Sequence, residues 1–188
     1  MKIYVGISGK MGSGKTTLTN GIIEAFKNLT VKRVSLAKPI KDLQDTIYNK
    51  LDLEMQGEKD RDLLIALGMW GRGKDSDFWL HQAVKSMEET FADIIICDDV
   101  RFLNEAKWFS ENGLLLRLEG KQRGDNVDES RKDDVTETQL DDYPFEHVIS
   151  NEHGKEMTLM SSLYSIAQHI KVSDELMDEA ARLVAKEA

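Results

Sequence analysis

A single cysteine, Cys97, leaves this chain of 188 residues no internal disulfide to make and fits a reducing compartment. No apolar stretch approaches the roughly 18 residues of a membrane-spanning helix. The first residues read as a strand rather than a signal peptide, so the chain is expected to be soluble and cytoplasmic. Basic charge is in deficit, with 25 Lys and Arg against 34 Asp and Glu and a formal net charge of −9. That balance speaks against a nucleic-acid coat or an anionic-membrane binder, since both need a basic surface. It does not speak against a nucleotide site, which needs only a local cluster of Lys and Arg. His147 and His153 lack a Cys or an acid at ligand spacing, so no zinc site is expected. Internal repeats and low-complexity segments are also missing.

What is present is organised around one loop. Gly9-Lys10-Met11-Gly12-Ser13-Gly14-Lys15-Thr16 matches G-x-x-x-x-G-K-[ST] at every fixed position. It follows the apolar run Ile3 to Ile7 and precedes Leu18, Ile22, Ile23, Ala25 and Phe26, spaced as one helix face. This is the strand-loop-helix setting in which glycines turn backbone N–H groups inward and a helix adds its positive end, together a cradle for phosphates. Lys15 is expected between the β- and γ-phosphates, and Thr16 on Mg²⁺. Lys10, at a variable position, also reads as a solvated charge.

With 40% hydrophobic residues the chain can bury one sizeable core, so residues 1–171 are expected to form one α/β domain. Its architecture would be the P-loop NTPase fold, three layers around a mostly parallel sheet of about five strands. Val31 to Leu36 reads as a second strand ending at Ala37-Lys38-Pro39, where a strand end meets a helix start and a substrate can be met. From Ile40 to Phe91 the pattern is helical, which marks residues 40–91 as an insertion. Helices are expected at Ile40–Tyr48, Lys59–Leu67 and Phe78–Glu89, with Gly57, Gly68, Gly71 and Gly73 as breaks. Glycines around Trp70 and Arg72 would bring backbone close to a ligand, with an indole for a base and a guanidinium for a phosphate; packing explains the same residues.

Ala92 to Asp99 reads as a buried parallel strand closing on carboxylates. Alternation puts Asp98 and Asp99 on opposite faces, so one of them is expected to serve Mg²⁺. A helix is expected from Phe102 to Asn112, with Ala106 and Phe109 toward the sheet and Gly113 at its end, then a strand from Leu114 to Leu118. Residues 119–136 have the composition of a lid, with Gly120 and Gly124 to hinge and Arg123 and Arg131 to reach phosphates; a solvated charged loop explains it as well. Phe145 to Ser150 reads as the last strand. A helix carries Leu159, Leu163, Ile166 and Ile170, and residues 172–188 suggest an acidic final helix.

Several of these stretches together resemble the deoxynucleoside monophosphate kinases of bacteriophages, within the P-loop kinase superfamily. The resemblance rests on Leu36-Ala37-Lys38-Pro39-Ile40-Lys41, on Leu67-Gly68-Met69-Trp70-Gly71-Arg72 with Asp77-Phe78-Trp79, and on Asp99-Val100-Arg101-Phe102-Leu103-Asn104-Glu105. Asn151 fits as well. The family's His-x-Ser-Glu is replaced by Asp134-Val135-Thr136-Glu137, so Glu137 carries over and the His does not. The resemblance implies transfer of the γ-phosphoryl group of ATP, with Mg²⁺, to a (deoxy)nucleoside monophosphate. It assigns Gly9 to Thr17 and Asn151 to ATP, and Thr16 with Asp99 or Asp98 to the metal. To the acceptor it assigns Ala37, Lys38, Gly68, Trp70, Arg72, Trp79, Asp99, Arg101, Glu105 and Glu137. Lys15, Arg72, Arg101, Arg123 and Arg131 would neutralise the transferred group. A P-loop kinase of another phosphorylated acceptor, dephospho-coenzyme A or phosphomevalonate, remains the alternative. The expected partner is a small monophosphate, not nucleic acid or membrane, and a homodimer is left open.

Overall fold

The apolar runs at Ile3, Ile94 and Leu114 form the middle of a five-stranded, all-parallel sheet in the computed structural model, which describes residues 2–57, 59–120, 138–151 and 155–170. The strands are β1 (Ile3–Ser8), β2 (Val31–Arg33), β3 (Ile94–Val100), β4 (Leu114–Glu119) and β5 (His147–Ser150), in spatial order β2-β3-β1-β4-β5. Sequence pattern and position agree. Ile94, Ile95, Ile96 and Cys97 in β3 are all fully buried, because a central parallel strand has helices over both faces and needs no alternation. The edge strands β2 and β5 are short and only partly buried. Each is shorter than expected, since pairing stops at Arg33 and begins at His147.

Three helices among the described residues belong to the same unit: α1 (Lys15–Ala25), α5 (Leu103–Asn112) and α6 (Lys155–Ile170). Each presents the face its periodicity predicts. Ile22 of α1 and Leu163 and Ile166 of α6 are fully buried in a cluster with Val5, Ile7, Ile96 and Leu116, and full burial of such a side chain is worth about 1.5–3 kcal/mol. Phe109 of α5 lies flat over Gly6, where an added Cβ would come within 2.6 Å of the ring. Gly113 does end α5, but at extended φ; what it permits is the close approach of the Tyr4 backbone on β1.

Residues 34–90 form a second compact unit, with α2 (Lys38–Leu51), α3 (Arg61–Lys74) and α4 (Phe78–Glu89). Here one expectation fails. Gly68, Gly71 and Gly73 do not break a helix; α3 runs through all three. The cause is packing: the indole of Trp79 lies against Gly71 and its Nε1 donates to the Gly68 carbonyl at 3.2 Å. The start of α3 is fixed by Asp60, whose carboxylate accepts from Leu63 N at 3.0 Å and from the Tyr48 hydroxyl at 2.7 Å, tying α3 to α2. No helix among the described residues is long and apolar enough to cross a membrane. The expected lid, beyond Glu119 and Gly120, and the final acidic helix lie outside the described residues.

Candidate functional site: a phosphate-binding loop at the strand ends

In an open parallel sheet, ligands meet the carboxyl ends of the strands, where loops and helix N-termini converge. Here β1 ends at Ser8 and the loop 9–14 leads into α1. Gly12 and Gly14 sit at φ 76° and 96°, a region that side chains disfavour and that turns successive N–H groups the same way. α1 then begins with no side-chain cap and no acid in its first turn, leaving its positive end to whatever the loop binds. Lys15 reaches back into the loop and donates to the carbonyls of Gly9 (2.6 Å) and Lys10 (2.9 Å). Thr16 and Thr17 are exposed beside it.

The loop carries an observation that fits a phosphate directly. The Ser13 hydroxyl is buried with no hydrogen-bond partner among the described residues. Buried hydroxyls are rarely left so, and in a ring of amide donors an anionic oxygen would satisfy it. The loop is held in shape from outside by Asn151, just beyond β5. Its side-chain nitrogen donates to the Ser13 carbonyl at 2.7 Å, its oxygen accepts from Thr158 of α6 at 3.2 Å, and its backbone N–H donates to Glu119 at 2.6 Å.

The two aspartates at the end of β3 part company as alternation requires. Asp98 is buried and accepts from Thr19 of α1 (3.2 Å) and from Arg33 of β2 (2.9 Å). Asp99 is partly exposed on the other face, near enough to Glu105 for its charge to be felt there. Glu105 turns its carboxylate onto the backbone N–H groups of Arg101 (2.8 Å) and Phe102 (3.0 Å), closing the first turn of α5. Loss of solvent, with a smaller push from Asp99, raises the Glu105 carboxyl to about 7 despite those N–H groups and Arg101. Arg101 itself is half-buried at the strand end. Among the described residues no three His, Cys, Asp or Glu side chains gather as a metal site. A divalent ion here would therefore draw on Thr16, one aspartate and the phosphates it neutralises.

In the helical unit Ala37 precedes α2, and Lys38 in its first turn pairs with Asp42. Trp70 and Arg72 lie exposed on α3, with Trp70 edge-on to Phe78 and the Arg72 guanidinium over Gly68. Trp79 is only 8% exposed, part of the packing around Gly71. Arg123, Arg131 and Glu137 lie outside the described residues. Sequence reading passed over Arg117, a buried arginine on β4 whose guanidinium reaches Ser8 Oγ at 3.1 Å, and Asp141, which pairs with Lys10. The available signal was an arginine within Leu114-Leu115-Leu116-Arg117-Leu118, a charge that a buried strand admits only with an acid to meet it.

Solved structures share this architecture. TT1252 from Thermus thermophilus aligns over 92% of this chain and 98% of its own with a TM-score of 0.58 at 16% identity. Shikimate kinase from Aquifex aeolicus covers 91% and 100% with a TM-score of 0.50 at 12% identity. At such identities the likeness shows the fold alone, a five-stranded parallel α/β sheet with helices. No protein of curated function matches the chain in sequence. The model of the phosphomevalonate kinase family matches residues 7–114, from the end of β1 through the phosphate loop and the helical unit to the start of β4. That is more than half of the chain, which therefore belongs to the phosphomevalonate kinase family.

Proposed function

We propose that the chain transfers the γ-phosphoryl group of ATP to the phosphate of a (deoxy)nucleoside monophosphate. The observation that carries the donor half is the loop itself: left-handed glycines, an uncapped helix start, and the buried Ser13 hydroxyl with no partner among the described residues. ATP would lie with its phosphates in loop 9–16, its charge met by Lys15 and by Mg²⁺ on Thr16 and Asp99. Asp99 is assigned to the metal because it is partly exposed at the end of β3, whereas Asp98 is buried. The acceptor phosphate is an anionic nucleophile and needs little proton transfer, so the protein's part is to position it and to neutralise charge. Arg101, at the end of β3, is assigned to that phosphate. Lys38, Trp70 and Arg72 of the helical unit are assigned to acceptor recognition, and Arg123 and Arg131 to the donor phosphates.

A second reading is favoured by the family match: phosphomevalonate as acceptor. Both acceptors end in a phosphate monoester, so the donor chemistry is common to the two. What supports the nucleotide is the exposed Trp70 indole on α3, a surface for a base that an aliphatic acceptor would not use. The test is ADP release by the full chain with ATP and Mg²⁺, run across the common ribo- and deoxyribonucleoside monophosphates and phosphomevalonate. Turnover with one nucleoside monophosphate well above the rest is expected. Turnover with phosphomevalonate alone would replace the first reading by the second, and ATP hydrolysis indifferent to every acceptor would sink both.

A further inference from the structure

We propose that Arg117 and Asp141 are positioning residues that set the resting geometry of the phosphate loop, an inference that rests on reading that loop as the ATP site. Arg117 lies in register with Ser8, the last residue of β1, and is 7% exposed. One guanidinium nitrogen donates to Ser8 Oγ at 3.1 Å; the other lies 3.5 Å from Asp141. The Phe145 ring covers the guanidinium at 5.3 Å. A charge so enclosed needs an acid, and Asp141 is better placed than Glu119, which stands 4.0 Å away and is largely exposed. The Asp141 carboxylate is shared: Lys10 Nζ approaches its two oxygens at 2.5 and 2.6 Å.

The network therefore holds the two residues that flank Gly9, Ser8 from Arg117 and Lys10 from Asp141. It matters to the chemistry because Lys15 Nζ is parked on the carbonyls of Gly9 and Lys10. Where Lys10 is held fixes where those carbonyls point, and so where the catalytic ammonium waits before phosphates arrive. Asp141 also diverts the Lys10 charge from the loop. This sets the sign of the test, since a Lys10 that served phosphate directly would bind ATP better once Asp141 released it.

The experiment is calorimetric binding of ATP with Mg²⁺ to the full chain, without acceptor, for Asp141→Asn, Lys10→Ala and the double variant. Each single change is expected to weaken ATP about fivefold, and the double variant no more than the stronger single, as for groups acting in one network. Asp141→Glu should recover part of the loss, and the KM of the acceptor should stay put in all four. Tighter ATP binding by Asp141→Asn, unchanged binding in both singles, or losses that multiply in the double would each overturn the proposal. Should Asp141→Asn fail to fold with Arg117 left unpaired, Asp141→Glu decides in its place, since it keeps an acid for Arg117: weaker ATP binding than in the unmodified chain is expected, and equal or tighter binding would overturn the proposal. The measurement needs no acceptor, so it stands whichever monophosphate the chain accepts, whereas an unmodified chain that binds no ATP would overturn both readings.

Discussion

Two glycines on one helix should respond to alanine in opposite directions. Gly71 and Gly73 both lie within α3, and in a helix interior Gly is less favourable than Ala by up to about 1 kcal/mol. At Gly73 nothing among the described residues stands within 4 Å of an added Cβ, so Gly73→Ala should raise stability by about 0.5 kcal/mol, near the helix end where the propensity term is partial. At Gly71 the Cβ would fall onto the Trp79 indole, 2.6 Å from Cε2, and 2.9 Å from the Phe78 ring. These are rigid rings: Trp79 is buried, its N–H is bonded to Gly68, and it packs edge-to-face with Phe78 at 4.9 Å. Neither can give way by a flexible end, and overpacking of this kind costs about 1–3 kcal/mol. Set against the propensity gain, Gly71→Ala should lose about 1–2 kcal/mol net. Urea unfolding followed by tryptophan fluorescence would show it, with a shift of about 2–4 °C per kcal/mol in a thermal scan as a check. If instead Gly71 is small so that a ligand can approach, Gly71→Ala would gain stability as Gly73→Ala does and lose acceptor affinity. That outcome would refute the packing argument.

Other expectations concern the site. Lys15→Ala should lower the rate of phosphoryl transfer by about a hundredfold or more, with the fold intact by circular dichroism, because it removes charge aimed at the transferred group. Asp98→Ala should destabilise by about 1–3 kcal/mol, since it strands the fully buried Thr19 hydroxyl, whereas Asp99→Ala, at a partly exposed position, should cost less stability and raise the Mg²⁺ concentration needed for activity. A reversed pattern of melting and Mg²⁺ dependence would exchange the two roles. Glu105 sets a pH dependence: its folded carboxyl, at about 7, lies above the ordinary 4.5, so the folded state binds the extra proton and stability falls as pH rises between those values. The full effect is on the order of 3 kcal/mol. Glu105→Gln keeps an acceptor for the two N–H groups and should flatten the difference in melting temperature between pH 5 and pH 8; equal slopes in both proteins would count against it. Asn151→Ala should weaken ATP binding about fivefold to tenfold by freeing the Ser13 carbonyl, measurable by the same calorimetry.

The contrast between the phosphate loop and α3 explains how far sequence reading reached. Loop 9–16 was legible because its geometry is dictated locally: Gly12 and Gly14 occupy φ values that favour glycine, and Lys15 and Thr16 follow at the start of a helix whatever the rest of the chain does. The parallel strands were legible for a related reason, since a run such as Ile94 to Cys97, apolar without alternation, suits burial on both faces. α3 was misread because three glycines in six residues argue locally against a helix, and the contacts that override them come from Trp79, eight residues beyond Gly71. Arg117 was passed over for want of a partner at any regular spacing. Its acid, Asp141, is 24 positions away and is brought near by the pairing of β5 beside β4. Ser13 is legible as a loop position, yet its role follows only from the buried hydroxyl that nothing among the described residues satisfies. Ser13→Ala removes that unpaired donor together with its desolvation cost, so the empty protein should be at least as stable, while ATP, deprived of one hydrogen bond, should bind more weakly. A Ser13→Ala protein that loses stability and keeps its affinity would mean that the hydroxyl serves the fold and not the ligand.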